Sequence, residues 1–75
     1  MNKEEFLENF ANQFDDTDPS DIYMDTKFRD LEEWSSLIGM SVIAMTKLTY
    51  NKIISGAEVR SCSTVEDLFN LIESK

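Results

Sequence analysis

Residues 35–51 read SSLIGMSVIAMTKLTYN, and this stretch decides the fold class of the chain. Its apolar residues recur at helical spacings, without the alternation of a half-buried strand, so we expect a helix from Leu37 to about Asn51. The residues that lie near one another on a helical projection, and that we expect to face the core, are Leu37, Met40, Ile43, Ala44 and Leu48. Ile38, Val42 and Met45 fall on other sides. This helix therefore has more apolar surface than one core face needs, and something else should cover the excess.

The residues before this stretch predict an amphipathic helix and a long loop. Apolar residues recur at intervals of three and four over residues 3–16, and the Asp-rich segment around Pro19 ends that helix. From about Thr17 to Ser35 the periodicity is lost, apart from a short helical turn expected near Lys27 to Glu33. Four spaced apolar residues should fix this loop across the core: Ile22, Met24, Phe28 and Leu31.

The residues after this stretch predict a short helical turn and a last helix. Ser55-Gly56 marks a break, and residues 57–60 are long enough for one turn. Residues 63–66 have the spacing of a capping box, with Ser63 as the N-cap and Glu66 as its partner. The last helix should run to about Ser74, and its expected buried face consists of Val65, Leu68, Phe69 and Ile72.

These elements fit one domain over residues 1–75. We expect an all-α fold, a small bundle of three main helices plus a short fourth, with a long first loop. A single cysteine allows no internal disulfide and suits a reducing compartment. The N-terminal residues have no basic and apolar leader pattern, and no apolar run approaches the ~18 residues of a membrane span. We therefore expect a cytoplasmic protein.

Charge limits the choice of partners. The chain has 15 acidic and 7 basic side chains, for a net charge of −8. Residues 1–36 hold 11 of the acids and 3 of the bases, whereas residues 37–75 hold 4 of each, so the net charge comes from the first half. Phosphate backbones and anionic lipids repel such a chain. We expect no nucleic-acid binding, no membrane insertion, and partners with basic surfaces.

The residue types leave little room for catalysis. Histidine is absent, which removes Ser-His and Cys-His pairs and the usual zinc sites, and there is no GxxxxGK[ST] or GxGxxG motif. We expect no enzyme, no catalytic residue and no metal site. The acidic run at 15–21 does not match an EF-hand loop, because Asp21 and Lys27 stand where Gly and Glu are required, so it should be a solvated turn. Cys62 is expected to be a small, partly buried filler.

The serine pair at the start of the central helix is the remaining candidate site. Ser35 is the simplest N-cap, which leaves the Ser36 hydroxyl in the first turn. The amides and positive dipole end of a helix start favour a phosphate. A phosphodiester on Ser36 would sit there without strain.

At these residues the sequence resembles a known family. The segment FRDLEEWSSLIGMSVIAM, residues 28–45, is similar to the region around the attachment site of acyl carrier proteins. In that family an Asp-Ser-Leu triplet opens the second helix, and its Ser carries 4'-phosphopantetheine. The resemblance covers the whole chain, including the long first loop, the short third helix and the Ser-Thr-Val-Glu-Asp-Leu opening of the last helix. It implies a small acyl-carrier-like bundle.

The resemblance implies that Ser36 carries 4'-phosphopantetheine through a covalent phosphate bond, which would make the chain a phosphoprotein. It also implies that Leu37 matches the Leu after the modified Ser. Ser35 stands where the family often has Asp. That difference removes one anionic contact for the modifying enzyme, but Ser still caps the helix, so we expect modification to survive.

The function implied is that of a monomeric acyl carrier protein in fatty acid, polyketide or related lipid metabolism. A phosphopantetheinyl transferase would load it, and acyl-ligase, ketosynthase or acyltransferase enzymes would dock on it. Carriers of ordinary fatty acid biosynthesis have acids along the second helix, whereas this chain has Ile38, Ser41, Met45 and Lys47 there. That implies apolar docking and a specialised pathway. An acyl chain is expected to lie between helices, near Phe28, Val42, Ile43 and Phe69.

Two other functions remain open. One is an aminoacyl or peptidyl carrier protein of a nonribosomal or cell-wall pathway, which shares the Ser-Leu chemistry. The other is a small acidic interaction domain without a prosthetic group, in which Ser36 only shapes the helix start. In that interaction domain Trp34 would anchor a partner. For Trp34 itself, we expect simple packing over the helix start rather than a binding hot spot.

Overall fold

Four α-helices build the fold, in the order that the sequence predicts. A computed structural model describes residues 1–75. Its helices are α1 (Lys3–Ala11), α2 (Ser36–Tyr50), α3 (Gly56–Ser61) and α4 (Val65–Glu73), and two single turns of 3₁₀ helix, Pro19–Asp21 and Phe28–Asp30, lie in the first loop. The chain is a small all-α bundle of three main helices plus a short one, as predicted. No helix combines the length and the apolar character needed to cross a bilayer.

Aromatic side chains form the centre of the core. α1 packs against α2 and α4, and its Phe6 ring meets Phe69 of α4 edge-on at a centroid distance of 5.5 Å. One turn later, Phe10 meets Phe28 of the first loop in the same way at 5.6 Å. All four rings are at most 2% exposed. This cluster joins both ends of the chain to the loop between α1 and α2.

α1 is shorter than the predicted 3–16. It ends at Ala11, and the amides of Gln13 and Phe14 bond back three residues, to the carbonyls of Phe10 and Ala11. This tightening still delivers the Phe14 ring to the core. The helix stops there because the next backbone amides donate to a side chain, Glu33, rather than to helical carbonyls.

The buried face of α2 is not the predicted one. Leu37, Met40 and Leu48 are exposed, at 72%, 65% and 86%. The face that meets the core consists of Ile38, Gly39, Val42, Met45 and Thr46. Both faces of this helix are apolar, so the spacing of apolar residues does not indicate which face is buried. The Thr46 hydroxyl is satisfied within the core because it donates to the Val42 carbonyl at 2.9 Å.

The first loop is fixed across the core as predicted. Ile22 and Phe28 are buried, and Met24 and Leu31 pack partly buried against the core. The predicted turn near residues 27–33 is the 3₁₀ turn Phe28–Asp30. The loop also bonds to α4, because the amides of Val65 and Glu66 donate to the carbonyls of Thr26 and Met24. Amides of the first turn of α4, which lack helical partners, are thereby satisfied.

The capping box of α4 lies one residue later than predicted. Thr64, not Ser63, is the N-cap, and its hydroxyl accepts from the Asp67 amide at 3.1 Å. The Asp67 carboxylate accepts in return from the amides of both Ser63 and Thr64. Glu66 instead forms an ion pair with Lys3 at 3.0 Å. The later start places Val65 in the core, where it is fully buried.

α3 begins with a second capping box, formed by Ser55 and Glu58. The sequence has the Ser-x-x-Glu spacing of a capping box here, but the Ser55-Gly56 pair predicts a break between helices rather than a helix start. α3 packs against α2. The Lys52 ammonium donates to the carbonyls of Ile72 and Lys75 and so stabilises the C-terminal end of α4.

Replacing the true N-cap of α4 should destabilise the protein more than replacing its neighbour. We expect Thr64→Ala to lower the free energy of unfolding by about 1 kcal/mol, since the Asp67 amide loses its acceptor. Ser63→Ala is the matched control and should have little effect, because only the backbone amide of Ser63 is used. Urea denaturation measures both variants. A larger loss for Ser63→Ala would contradict this assignment of the cap.

Candidate functional site

The candidate site lies at the start of α2. Ser35 has extended backbone dihedrals, and its hydroxyl accepts from the Ile38 amide at 3.4 Å. Its carbonyl accepts from the Gly39 amide at 3.0 Å. Ser35 is therefore the N-cap, as predicted, and Ser36 is the first residue of the helix.

Ser36 and Leu37 both face away from the core. Each side chain is exposed, and no hydrogen bond to another residue holds the Ser36 hydroxyl. The amides of Ser36 and Leu37 belong to the first turn, where the helix provides no carbonyl partner for them. The chain thus presents a free primary hydroxyl at the positive end of a fifteen-residue helix. This environment favours a negatively charged group bonded to that oxygen.

A cavity of about 340 Å³ opens beside Ser36, between α2 and α3. This volume is at the lower end of the range for small-ligand sites. The residues that line it are Trp34, Ser35, Ser36, Gly39, Met40, Ile43, Gly56, Val59 and Arg60. Its wall is thus partly apolar and partly polar, and Ser36 is part of that wall.

Trp34 fixes the chain immediately before the serine pair. Its ring lies 4.9 Å from that of Phe28 and 6.2 Å from that of Phe14, between centroids. The indole also packs against α2 at Gly39, where a Cβ would be in ordinary van der Waals contact with the ring at 3.5 Å. Packing over the helix start is the predicted role of Trp34, and the structure confirms it.

Glu33 ties the other end of this segment to the end of α1. Its carboxylate accepts hydrogen bonds from the amides of Asp15, Asp16 and Thr17, at 2.7 to 3.0 Å, and from the Thr17 hydroxyl at 2.7 Å. These bonds, the Thr17 hydroxyl foremost, hold the pKa of Glu33 below its usual value. Sequence reasoning treated Glu33 as one acid among many, because its partners lie more than fifteen residues away.

The apolar cavity expected between Phe28, Val42, Ile43 and Phe69 is not where the sequence placed it. Phe28, Val42 and Phe69 lie in the closed core, each at most 2% exposed. Only Ile43 lines the cavity beside Ser36. The expectation was wrong because α2 turns its other apolar face to the core, and this places Ile43 and Met40 toward α3 and solvent.

Arg60 is the site residue that sequence reasoning missed. It lies in α3, and its guanidinium folds back over the first turn of that helix, where a Cβ on Gly56 would be 3.2 Å from Nη1. It is the only charged side chain that lines the cavity. Its place across from Ser36 depends on how α3 packs on α2, for which the local sequence carries no signal.

The acidic run at residues 15–21 and Cys62 have structural roles. Asp18 caps the Pro19–Asp21 turn, and its carboxylate accepts from the amide and the hydroxyl of Ser20, which lowers its pKa. The acidic run is thus a turn, as predicted. Cys62 is more buried than expected, at 5% exposed, and this burial raises the pKa of its thiol.

Comparisons with family models, with curated proteins and with solved structures found no match to this chain.

Neutralising Glu33 should change how stability depends on pH. A carboxylate whose pKa is lower in the folded state stabilises the fold above its unfolded pKa, about 4.3, and this contribution is lost as the pH falls through its folded pKa. We therefore expect the stability gap between wild type and Glu33→Gln to be largest near neutral pH and to shrink below about pH 4. Urea titrations across this range measure the gap.

Glu32→Gln is the matched control, because the neighbouring Glu32 carboxylate accepts no hydrogen bond within the chain. Its stability relative to wild type should change much less between neutral and acid pH. A gap for Glu33→Gln that is the same at pH 7 and at pH 3 would show that these hydrogen bonds do not favour the charged form.

Proposed function

We propose that this protein is a carrier whose Ser36 oxygen bears 4'-phosphopantetheine. The observation that carries the proposal is the exposed, unbonded Ser36 hydroxyl in the first turn of α2, beside a cavity with one cationic residue. When bound, phosphopantetheine supplies a terminal thiol that holds an acyl group as a thioester. The resemblance of residues 28–45 to acyl carrier proteins supports the same function.

The Ser36 hydroxyl acts as a nucleophile in the loading step. It attacks the phosphorus of coenzyme A that bears the pantetheine, and a new P–O bond forms. The phosphoanhydride bond of coenzyme A breaks, adenosine 3',5'-bisphosphate leaves, and the serine proton passes to a base of a phosphopantetheinyl transferase. The carrier needs no catalytic group of its own for this step.

The residues present fit a phosphodiester at Ser36. The first-turn amides and the helix dipole favour negative charge there, and no carboxylate lines the adjoining cavity. Ser35 keeps the helix start in place through its cap. Trp34 and Glu33 hold the preceding segment through ring packing and hydrogen bonds. These contacts let the hydroxyl be modified without moving the core.

The exposed face of α2 supports docking by other proteins, such as acyl-ligase, ketosynthase or acyltransferase enzymes. Leu37, Met40 and Leu48 lie on this face, and the helix has no acidic residue. The acids lie on the first half of the chain, where they can attract basic partners over a distance while apolar contact forms at α2. A specialised fatty acid, polyketide or related pathway is the proposed setting, in the cytoplasm.

A second candidate is an interaction domain without a prosthetic group. The same exposed apolar face favours it, since soluble monomers rarely leave such a face without a partner. In that case Ser36 contributes only to the helix start. Loading of the protein distinguishes the two candidates.

Intact-mass measurement after co-expression with a broad-specificity phosphopantetheinyl transferase tests the proposal. We expect wild type to gain the mass of one phosphopantetheinyl group and Ser36→Ala to gain nothing. Ser35→Ala is the matched control: it should still be loaded, although the lost cap lowers stability by about 1 kcal/mol.

Circular dichroism establishes that each variant is folded. A folded wild-type chain that keeps its unmodified mass would overturn the carrier proposal and favour the interaction domain. Loading of Ser36→Ala, or loss of loading only in Ser35→Ala, would contradict the choice of Ser36 as the attachment residue.

A further inference from the structure

Arg60 and Lys27 are the two basic residues whose side chains form neither an ion pair nor a hydrogen bond, and of the two only Arg60 lines the cavity beside Ser36. The three ion pairs use the N-terminus, Lys3 and Lys75 as their cations. Arg29, the other arginine, donates from Nε to the Cys62 carbonyl at 3.2 Å. Arg60 forms neither an ion pair nor a hydrogen bond with another residue of the chain. Its guanidinium is therefore available to an external anion.

The position of Arg60 indicates which anion that is. It lines the same cavity as Ser35 and Ser36, and it is the only ionisable residue there, although the chain as a whole has a net charge of −8. The planar guanidinium matches phosphate oxygens with two parallel N–H donors. Because Ser36 lines this cavity, a group bonded to its oxygen begins beside it. A phosphate bonded to Ser36 would therefore share this cavity with Arg60.

We propose that Arg60 binds the phosphodiester at Ser36 and thereby holds the base of the prosthetic arm against α3. This inference rests on the carrier function proposed above and adds a positioning residue to it. Arg60 and Ser36 lie on different helices, so the contact would link α2 to α3 in the loaded protein. It would also fix the direction in which the arm leaves the protein surface.

The two arginines of the chain allow a direct test by NMR. The Nε–Hε region of a ¹H–¹⁵N spectrum should contain one signal from Arg29 and one from Arg60, and Arg60→Gln assigns them by removing one. We expect the Arg60 signal to shift between the unloaded and the loaded protein. The Arg29 signal serves as an internal control and should stay in place, because its carbonyl partner does not change.

Thermal denaturation provides a second readout. If Arg60 stabilises the phosphodiester, loading should raise the melting temperature more in wild type than in Arg60→Gln, and Arg60→Lys should retain part of the difference. Lys47→Gln is the matched control, because it removes the same charge from a side chain that bonds to Asn51, outside the cavity. It should respond to loading as wild type does.

The outcomes separate this inference from the carrier proposal. If mass spectrometry shows full loading while the Arg60 signal stays in place, the Arg60 contact is wrong and the carrier proposal stands. A shift that appears only when the thiol carries an acidic cargo would also overturn the contact with phosphate. If the folded chain is not loaded at all, both proposals fail.

Discussion

The packing of seven aromatic rings is the constraint on which the rest of this structure depends. These rings belong to Phe6, Phe10, Phe14, Phe28, Trp34, Tyr50 and Phe69. Phe6 of α1 contacts Phe69 of α4, Phe10 of α1 contacts Phe28 of the first loop, and Phe14, just after α1, contacts Trp34. The chain has no disulfide, and a domain of this size has a total stability of about 5–15 kcal/mol. Loss of one buried phenylalanine costs about 3–5 kcal/mol. The position of the long first loop is therefore set by the same rings that keep the domain folded.

The aromatic core also determines what the start of α2 presents to solvent. Trp34 packs on Phe28 and beside Gly39, and the next three residues, at the start of α2, are exposed. Once the helix has turned Val42 into the core, Ser36 and the cavity toward α3 lie outside it. The site thus combines a rigid base with an open, weakly charged surface. This arrangement suits a residue that is modified and then presented to several enzymes.

The sequence predicts which segments form helices better than it predicts which face of each helix is buried and where the helices contact each other. Local signals, namely the spacing of Phe6 and Phe10 and the cap at Ser35, predicted helices and the start of α2 correctly. The buried face of α2 was predicted wrongly because both of its faces are apolar, and the cavity was misplaced with it. The end of α1 and the role of Arg60 depend on partners distant in sequence, such as Glu33. Contacts between residues distant in sequence cannot be predicted from a local sequence pattern.

If Ser36 is loaded as we propose, the prosthetic arm should stay at the surface while the aromatic core stays closed. A comparison of ¹H–¹⁵N and aromatic ¹H–¹³C spectra of the unloaded and the loaded protein tests it most directly. We expect shifts confined to residues 34–43 and 56–60, with the ring signals of Phe10, Phe28 and Phe69 unchanged. Shifts of those rings would contradict it, because the prosthetic arm would then enter the core rather than the cavity between α2 and α3.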